Sequence, residues 1–125
     1  MSGLTPDQVL ELHEDLIDEH GGLHGVLDQG KLDSALAQPI SVVFGVERYP
    51  TPAEQAAAYL YYVVEAHAFV DGNKRTAIAC CLIWLRLQGV QHQMSEDRLF
   101  ELTVLVADSG MQIGEIAQTI KEYLI

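Results

Sequence analysis

Residues 67–76 read His-Ala-Phe-Val-Asp-Gly-Asn-Lys-Arg-Thr and separate two stretches with helical patterning. The stretch before them opens at Thr51 and is rich in Ala and Tyr, and the stretch after them runs to about Gln88. This pattern predicts a helix, a short loop and a second helix. The loop combines a His, an Asp-Gly pair and two adjacent cations, which neither a helix interior nor an ordinary turn requires. We therefore expect residues 67–76 to carry chemistry.

The residue types at the end of this loop suit the binding of an anion. A helix N-terminus offers unpaired backbone N–H groups and partial positive charge. Gly72 allows a phosphate to approach closely, and Asn73 can cap the helix and donate a hydrogen bond. Lys74 and Arg75 add two full charges at the helix end where the dipole disfavours cations. The mismatch predicts a phosphate site formed by these four residues.

Two further side chains of the loop are candidates for a reaction on that phosphate. Mg²⁺ in proteins takes one or two carboxylates together with phosphate oxygens, so Asp71 is a candidate metal ligand. His67, at the end of the preceding helix, is a candidate base for an attacking hydroxyl. Each residue also has an ordinary interpretation: a His at a helix end often caps or packs, Asp-Gly is a common turn, and Lys-Arg is commonly a solvated pair.

Helix signals recur along the rest of the chain, and strand alternation is nearly absent. Thr5 before Pro6 marks one helix start, and Thr51 before Pro52 marks another, with Glu54 completing a capping box. The predicted helices run from Pro6 to Gly21, over about 31–38, 52–66 and 73–88, from Ser95 to near Gly110, and over about 113–123. The exception is residues 40–49, which favour an extended flap or a short hairpin between two prolines. The sequence predicts a compact all-α single domain of residues 1–125, with about six helices and this flap.

Composition narrows the function classes. The chain has 125 residues, of which 49% are hydrophobic, and a formal net charge of −11. So acidic a chain lacks the basic surface that binding to nucleic acid or anionic lipid needs. Residues 1–10 do not resemble a signal peptide, and no apolar run is long enough to cross a bilayer. Cys80 and Cys81 are adjacent and have no partners for a zinc site, so we expect two small helix residues, with Cys81 facing inward, in the reducing cytoplasm.

Three other features have weaker functional interpretations. Residues 25–32 nearly match a phosphate-binding P-loop, but they lack its Ser or Thr and follow no predicted strand, so we expect a Gly-rich turn. The remaining histidines show no ligand spacing, and we expect no metal site among them: His13, His20, His24 and His92. Tyr59, Tyr61 and Tyr62 lie on an apolar helix, where core packing is the main interpretation and one ring near a nucleotide is the alternative.

Residues 67–76 resemble the signature motif of the Fic/Doc (Fido) superfamily, specifically of its Doc, or death-on-curing, branch. The Fic branch has a Gly where this chain has Lys74 and a second Arg where it has Ile78, and both departures match the Doc branch. The similarity extends over residues 22–39 and 85–89. Lys74 fills with charge a position that Fic enzymes keep empty for a diphosphate, so the nucleotide must sit differently.

The resemblance implies the toxin of a toxin–antitoxin system. Doc toxins are protein kinases that transfer the γ-phosphate of ATP to a threonine of elongation factor Tu and stop translation, whereas Fic enzymes transfer AMP. By this resemblance His67 is the general base, Asp71 the Mg²⁺ ligand, and Phe69 a buried anchor of the loop. Gly72, Asn73, Lys74 and Arg75 form the anion cradle, ATP is the substrate, and the flap at residues 42–44 aligns the target.

Two alternatives stay open beside the kinase. One is a Fic-like AMP transferase acting on a protein hydroxyl, and the other is a catalytically silent module that acts by occupying a partner. Many Fic enzymes carry an inhibitory helix with Ser or Thr four residues before Glu, and no Ser or Thr of this chain has that spacing. We therefore expect restraint to come from an antitoxin on a separate chain.

Overall fold

The computed structural model describes residues 2–125, so Met1, the first residue of the expected domain, lies outside the described part. Six α-helices form across residues 2–125: α1 Pro6–His20, α2 Gln29–Ala37, α3 Pro52–Ala66, α4 Asn73–Leu87, α5 Glu96–Ser109 and α6 Ile113–Glu122. A small antiparallel hairpin joins α2 to α3, with strands β1 Val42–Val43 and β2 Val46–Glu47. The prediction of an all-α fold with a short extended flap is confirmed.

Side-chain caps explain where most helices begin. At α1 the Thr5 hydroxyl accepts from the Gln8 N–H while the Gln8 side chain accepts from the Thr5 N–H, which completes a capping box. Ser95 caps α5 through the Arg98 N–H. Asp28 caps α2, and because this cap lies at residue 28 the helix starts at Gln29, two residues before the predicted start.

The predicted capping box at the start of α3 is only half present. The Thr51 hydroxyl oxygen accepts from the Glu54 N–H at 3.2 Å, as expected. The Glu54 carboxylate, however, accepts from the Thr51 hydroxyl at 3.1 Å instead of from the Thr51 backbone N–H. The hydroxyl is free to rotate toward the carboxylate, so the pair forms two bonds through one side-chain oxygen.

Helix α3 lies at the centre of the fold and packs against α2, α4, α5 and α6. Its polar residue Gln55 is buried, and both the oxygen and the nitrogen of its side chain are hydrogen-bonded: the oxygen accepts from Trp84 Nε1 at 3.0 Å, and the amide nitrogen donates to the Tyr49 carbonyl at 3.0 Å. The Tyr59 ring is buried 5.2 Å from that of Trp84, which confirms its predicted core role. These contacts fix α3 against α4, and therefore fix the two ends of the loop between them.

The hairpin and the cysteines have contrasting environments. The hairpin turns at Phe44 and Gly45, both with positive φ, and the Phe44 side chain is fully exposed. Cys80 and Cys81 are free and buried in α4, where the sequence predicts an inward position for Cys81 alone, and burial raises the pKa of each thiol to about 12. No helix within residues 2–125 combines the length and the apolar character that a membrane span needs.

Candidate functional site

The loop between α3 and α4 is held from outside by the segment that precedes α2. The Val70 N–H donates to the Gly25 carbonyl at 3.1 Å, and the Leu27 N–H donates to the Ala68 carbonyl at 2.7 Å. Phe69 pairs with Val26 in an isolated bridge, and its side chain is 1% exposed. The loop backbone is thus bonded on one side and open on the other, where it lines a cleft of about 390 Å³.

His67 ends α3 and lies at this cleft with its side chain exposed. Its Nδ1 is 3.0 Å from the Val64 carbonyl oxygen. Because a carbonyl oxygen only accepts, Nδ1 carries the hydrogen, and in the neutral ring Nε2 keeps a free lone pair. The geometry therefore presents a proton acceptor at the cleft.

The Asp71 carboxylate is oriented by two backbone groups. Its Oδ1 accepts from the Gly72 N–H at 2.9 Å, and its Oδ2 accepts from the Leu23 N–H at 3.2 Å. The second bond needs close approach of the chain, because a Cβ on Gly22 would lie 2.7 Å from Oδ2. Each oxygen has a second lone pair, so the carboxylate can still bind a cation.

The residues present fit a Mg²⁺ ion that comes with a nucleotide. Within residues 2–125 no group of three His, Cys, Asp or Glu side chains could enclose a metal. Asp71 is a single, oriented carboxylate beside the start of a helix, so most ligands of such an ion must be phosphate oxygens and water. That is the usual coordination of Mg²⁺ in phosphate-transfer sites.

Asn73 has a different role from the predicted one. Gly72, with φ of 78°, is the residue that precedes α4, and no side chain caps this helix among the described residues. The Asn73 side chain points back instead: its oxygen accepts from the Phe69 N–H at 3.1 Å and its amide donates to the Phe69 carbonyl at 2.9 Å. The prediction that Asn73 caps α4 is wrong, because its side chain satisfies the loop backbone and leaves the first-turn N–H groups uncapped.

Lys74 and Arg75 are exposed at this uncapped helix start. The ion pairs within residues 2–125 involve His20, His24, Arg98 and Lys121, and neither of these two cations. The structure brings all the predicted site residues to the wall of one cleft: His67, Phe69, Asp71, Gly72, Asn73, Lys74 and Arg75. Two free cations and a row of N–H groups make one end of the cleft suitable for phosphate.

A family model described as the Fic/DOC family matches residues 3–85. The chain belongs to this family. It is 31% identical over 121 residues to "Protein kinase doc" of Escherichia phage P1, which covers 97% of this chain and 94% of that relative. It is 41% identical over 99 residues to "Toxin Doc" of Mycolicibacterium smegmatis, which covers 78% of this chain and 76% of that relative. Both relatives agree with the Doc branch of the Fic/Doc family.

One contact of this Fic/Doc site was missed in the sequence. His13 of α1 is only 3% exposed, and its ring stacks on Phe69 with centroids 3.8 Å apart. Its Nε2 lies 2.7 Å from the Asp71 carbonyl oxygen. The available signal was the spacing of four that places His13 between the apolar residues Val9 and Ile17 on the buried face of α1. That spacing marks a buried His but not its partner.

Proposed function

We propose that this Doc-type toxin is a kinase that transfers the γ-phosphate of ATP to a protein hydroxyl, specifically to a threonine of elongation factor Tu. The observation that carries the proposal is that His67 and the start of α4 line the same cleft. In its neutral form His67 offers the lone pair of Nε2 at the cleft that also contains the uncapped helix end with Lys74 and Arg75. The name of the phage relative, a protein kinase, supports phosphoryl transfer as the reaction.

The proposed reaction uses these groups in one step. His67 Nε2 takes the proton of the acceptor hydroxyl as that oxygen forms a bond to the γ-phosphorus. The bond between the γ-phosphorus and its bridging oxygen breaks, and ADP leaves with the electron pair. Phosphoryl transfer depends mainly on position and charge, which Lys74, Arg75 and the first-turn N–H groups of α4 would supply.

Asp71 would hold Mg²⁺ through the lone pairs that its two backbone hydrogen bonds leave free. When bound, the ion would neutralise part of the phosphate charge. The role of the protein is to keep this carboxylate in one orientation, since the bonds from the Leu23 and Gly72 N–H groups restrict its rotation. A carboxylate that could rotate would place the nucleotide less accurately.

The test separates the two possible transferred groups. Purified protein is incubated with Mg²⁺, elongation factor Tu and ATP labelled at either the α- or the γ-phosphate, and the intact mass of the acceptor is measured. We expect label only from the γ position and the mass of one added phosphate. Label from the α position with the mass of AMP would replace the kinase with the AMP transferase.

A pair of histidine variants tests the role of the base. His67→Ala should lower transfer by about 10²- to 10⁴-fold, the range for a lost general base, and should abolish growth arrest on induction. His92→Ala is the matched control, because His92 lies outside the cleft. If His67→Ala arrests growth as strongly as the parent, the protein acts by binding alone.

The cognate antitoxin is the expected second partner of a Doc-type toxin. With 18 acidic and 7 basic residues, the toxin favours a basic antitoxin segment through charge complementarity. We expect the affinity of the pair to fall as NaCl is raised, in a titration of toxin with antitoxin. An affinity that does not change with salt would contradict the electrostatic part of this proposal.

A further inference from the structure

His13 is a polar residue in an apolar setting, distant in sequence from residues 67–76. It is one of only four polar or charged residues that are buried among residues 2–125, with Gln55, Thr76 and Thr103. Both of its specific contacts reach the loop between α3 and α4, 58 residues away at Asp71. A buried imidazole that bonds to a functional loop needs a reason beyond filling space.

The two contacts of the His13 ring fix its chemistry and its orientation. Nε2 lies 2.7 Å from the Asp71 carbonyl oxygen, and because that oxygen only accepts, Nε2 carries the hydrogen. The ring lies parallel to Phe69, with an angle of 8° between the planes. The stack restricts rotation of the imidazole, so the donor points at one carbonyl only.

Helix α1 and the turn after it hold Asp71 at two points. His13 holds the backbone carbonyl, and the Leu23 N–H holds the carboxylate. The next residue packs directly on the same helix, since a Cβ on Gly72 would lie 3.0 Å from the Ile17 side chain and 3.6 Å from His13. The peptide between Asp71 and Gly72 therefore cannot rotate unless it breaks the bond from His13 or moves α1.

We infer that His13 is a positioning residue, which orients the Asp71–Gly72 peptide and through it both the Asp71 carboxylate and the first-turn N–H groups of α4. This inference rests on the proposed function, because it gives a role in phosphoryl transfer to a residue that touches neither nucleotide nor acceptor. Without the bond, Gly72 can leave its left-handed conformation, and the phosphate site turns relative to His67. Lys74 and Arg75 would still attract the nucleotide, so the loss should fall on kcat and not on KM.

Two variants separate the effect of the hydrogen-bond donor of His13 from the effect of its aromatic ring. His13→Phe keeps an aromatic ring for the stack on Phe69 but has no donor, whereas His13→Gln keeps an N–H donor near the position of Nε2 without the ring. We expect His13→Phe to lower kcat by on the order of ten- to a hundredfold with little change in the KM for ATP, as a small misplacement does. His13→Gln should recover most of kcat. Equal losses in the two folded variants, or no loss in either, would overturn the inference.

A readout that does not need turnover keeps this inference separate from the proposed reaction. In ¹H–¹⁵N spectra, the His13 Nε2–H should be visible as a slowly exchanging proton. The ¹³C resonance of the Asp71 carbonyl, which responds far more to hydrogen bonding than to the ring current of a nearby aromatic side chain, should shift in His13→Phe but hardly in His13→Gln. If the parent protein transfers no group from ATP, the proposed function fails while these spectra still test the contact. Should His13→Phe not fold, a folded His13→Gln with kcat about tenfold below the parent would overturn the inference by itself.

Discussion

His67 has a left-handed backbone conformation, with φ of 46° and ψ of 44°, that is uncommon for a residue with a side chain. This conformation ends α3 and turns the chain into the loop, while the hydrogen bond from Nδ1 to the Val64 carbonyl fixes the orientation of the imidazole ring. A Gly or an Asn would adopt the same backbone at lower cost. The presence of His at this position is therefore better explained by chemistry at the cleft than by folding.

A His67→Asn variant should show this separation of stability from activity. Asn tolerates the left-handed region, so the free energy of unfolding should stay the same or rise by up to about 1 kcal/mol. Transfer to the acceptor should be lost, because the amide cannot take a proton. Urea unfolding and the labelled-ATP assay measure the two quantities. A clear loss of stability would show that the Nδ1 contact outweighs the backbone cost.

At the residue scale, the contiguous part of the site was predictable and the rest was not. Residues 67–76 were recognisable because unusual residue types lie side by side in the sequence. The contacts of Asp71 with His13 and with the Leu23 N–H depend on how α1 packs on the loop, and a backbone N–H has no sequence signal. The role predicted for Asn73 was wrong for a related reason: the side chain of an Asn at a helix start can hydrogen-bond either to the N–H groups of the helix or to the backbone of the preceding loop.

The start of α4 differs from the starts of the four helices that have a side-chain cap. Thr5, Asp28, Thr51 and Ser95 each accept a hydrogen bond from the helix that they precede. Gly72 cannot, and two cations follow it. Helix positions were predictable to within about two residues, because caps and prolines are local signals. The start of α6 at Gln112 also lacks a side-chain cap, but its first turn carries no cation. Among the helices of residues 2–125, only α4 combines an uncapped start with two cations, which is the combination that favours an anionic ligand.

Removing a cation from this helix end should have opposite effects on folding and on binding. Lys74→Ala should raise the free energy of unfolding of the free protein by about 0.3–1 kcal/mol, since a cation opposes the dipole there. The same change should weaken ATP binding. Arg86→Ala is the matched control, because Arg86 lies in the last turn of α4, where its loss should lower stability and leave binding unchanged. Urea unfolding and calorimetric titration with ATP give both values, and a fall in stability for Lys74→Ala would contradict the argument.

The hairpin between α2 and α3 presents an apolar tip that the fold does not use. Phe44 is fully exposed and has φ of 52°, next to Gly45 with φ of 78°. Asn is well suited to position 44 of this turn, so Phe44→Asn should leave the stability unchanged or slightly higher. We expect the variant to transfer phosphate less efficiently, with a higher KM for the protein acceptor. The KM for ATP should not change.

Leu87→Asn serves as the control for Phe44→Asn, because Leu87 is also exposed, at 64%, but lies at the far end of α4. Steady-state kinetics with varied acceptor concentration would measure both variants. Equal effects of the two substitutions on the KM for the acceptor would show that the hairpin tip does not contact it.

At the scale of the whole molecule, the central position of α3 links the core to the cleft. The same helix that packs against four others ends at His67, so the site stands on the best-buried element. The sequence predicted which helices would be apolar, but the arrangement around α3 depends on the sum of many contacts that no local pattern encodes.

The core should lose stability in alkaline solution. Burial raises the pKa of Cys80, Cys81 and Tyr59 to about 12 each, from ordinary values of 9.0 for the thiols and 10.0 for the phenol. The folded state therefore holds protons that the unfolded state releases, and stability present below pH 9 should fall as the pH rises toward 12. The total loss should be on the order of a few kcal/mol in urea unfolding. Cys81→Ala should reduce the dependence on pH, and a flat profile in the parent protein would contradict the expectation.

An anion bound at the uncapped start of α4, as proposed for the nucleotide, would become part of the folding equilibrium. A ligand that binds only the folded chain adds about 2.7 kcal/mol to the free energy of unfolding when its concentration is a hundred times Kd. The melting temperature should thus depend on the phosphate or sulfate in the buffer. Within a cell, resistance to proteolysis would follow the nucleotide supply, so the lifetime of the toxin would shorten as the energy charge of the cell falls.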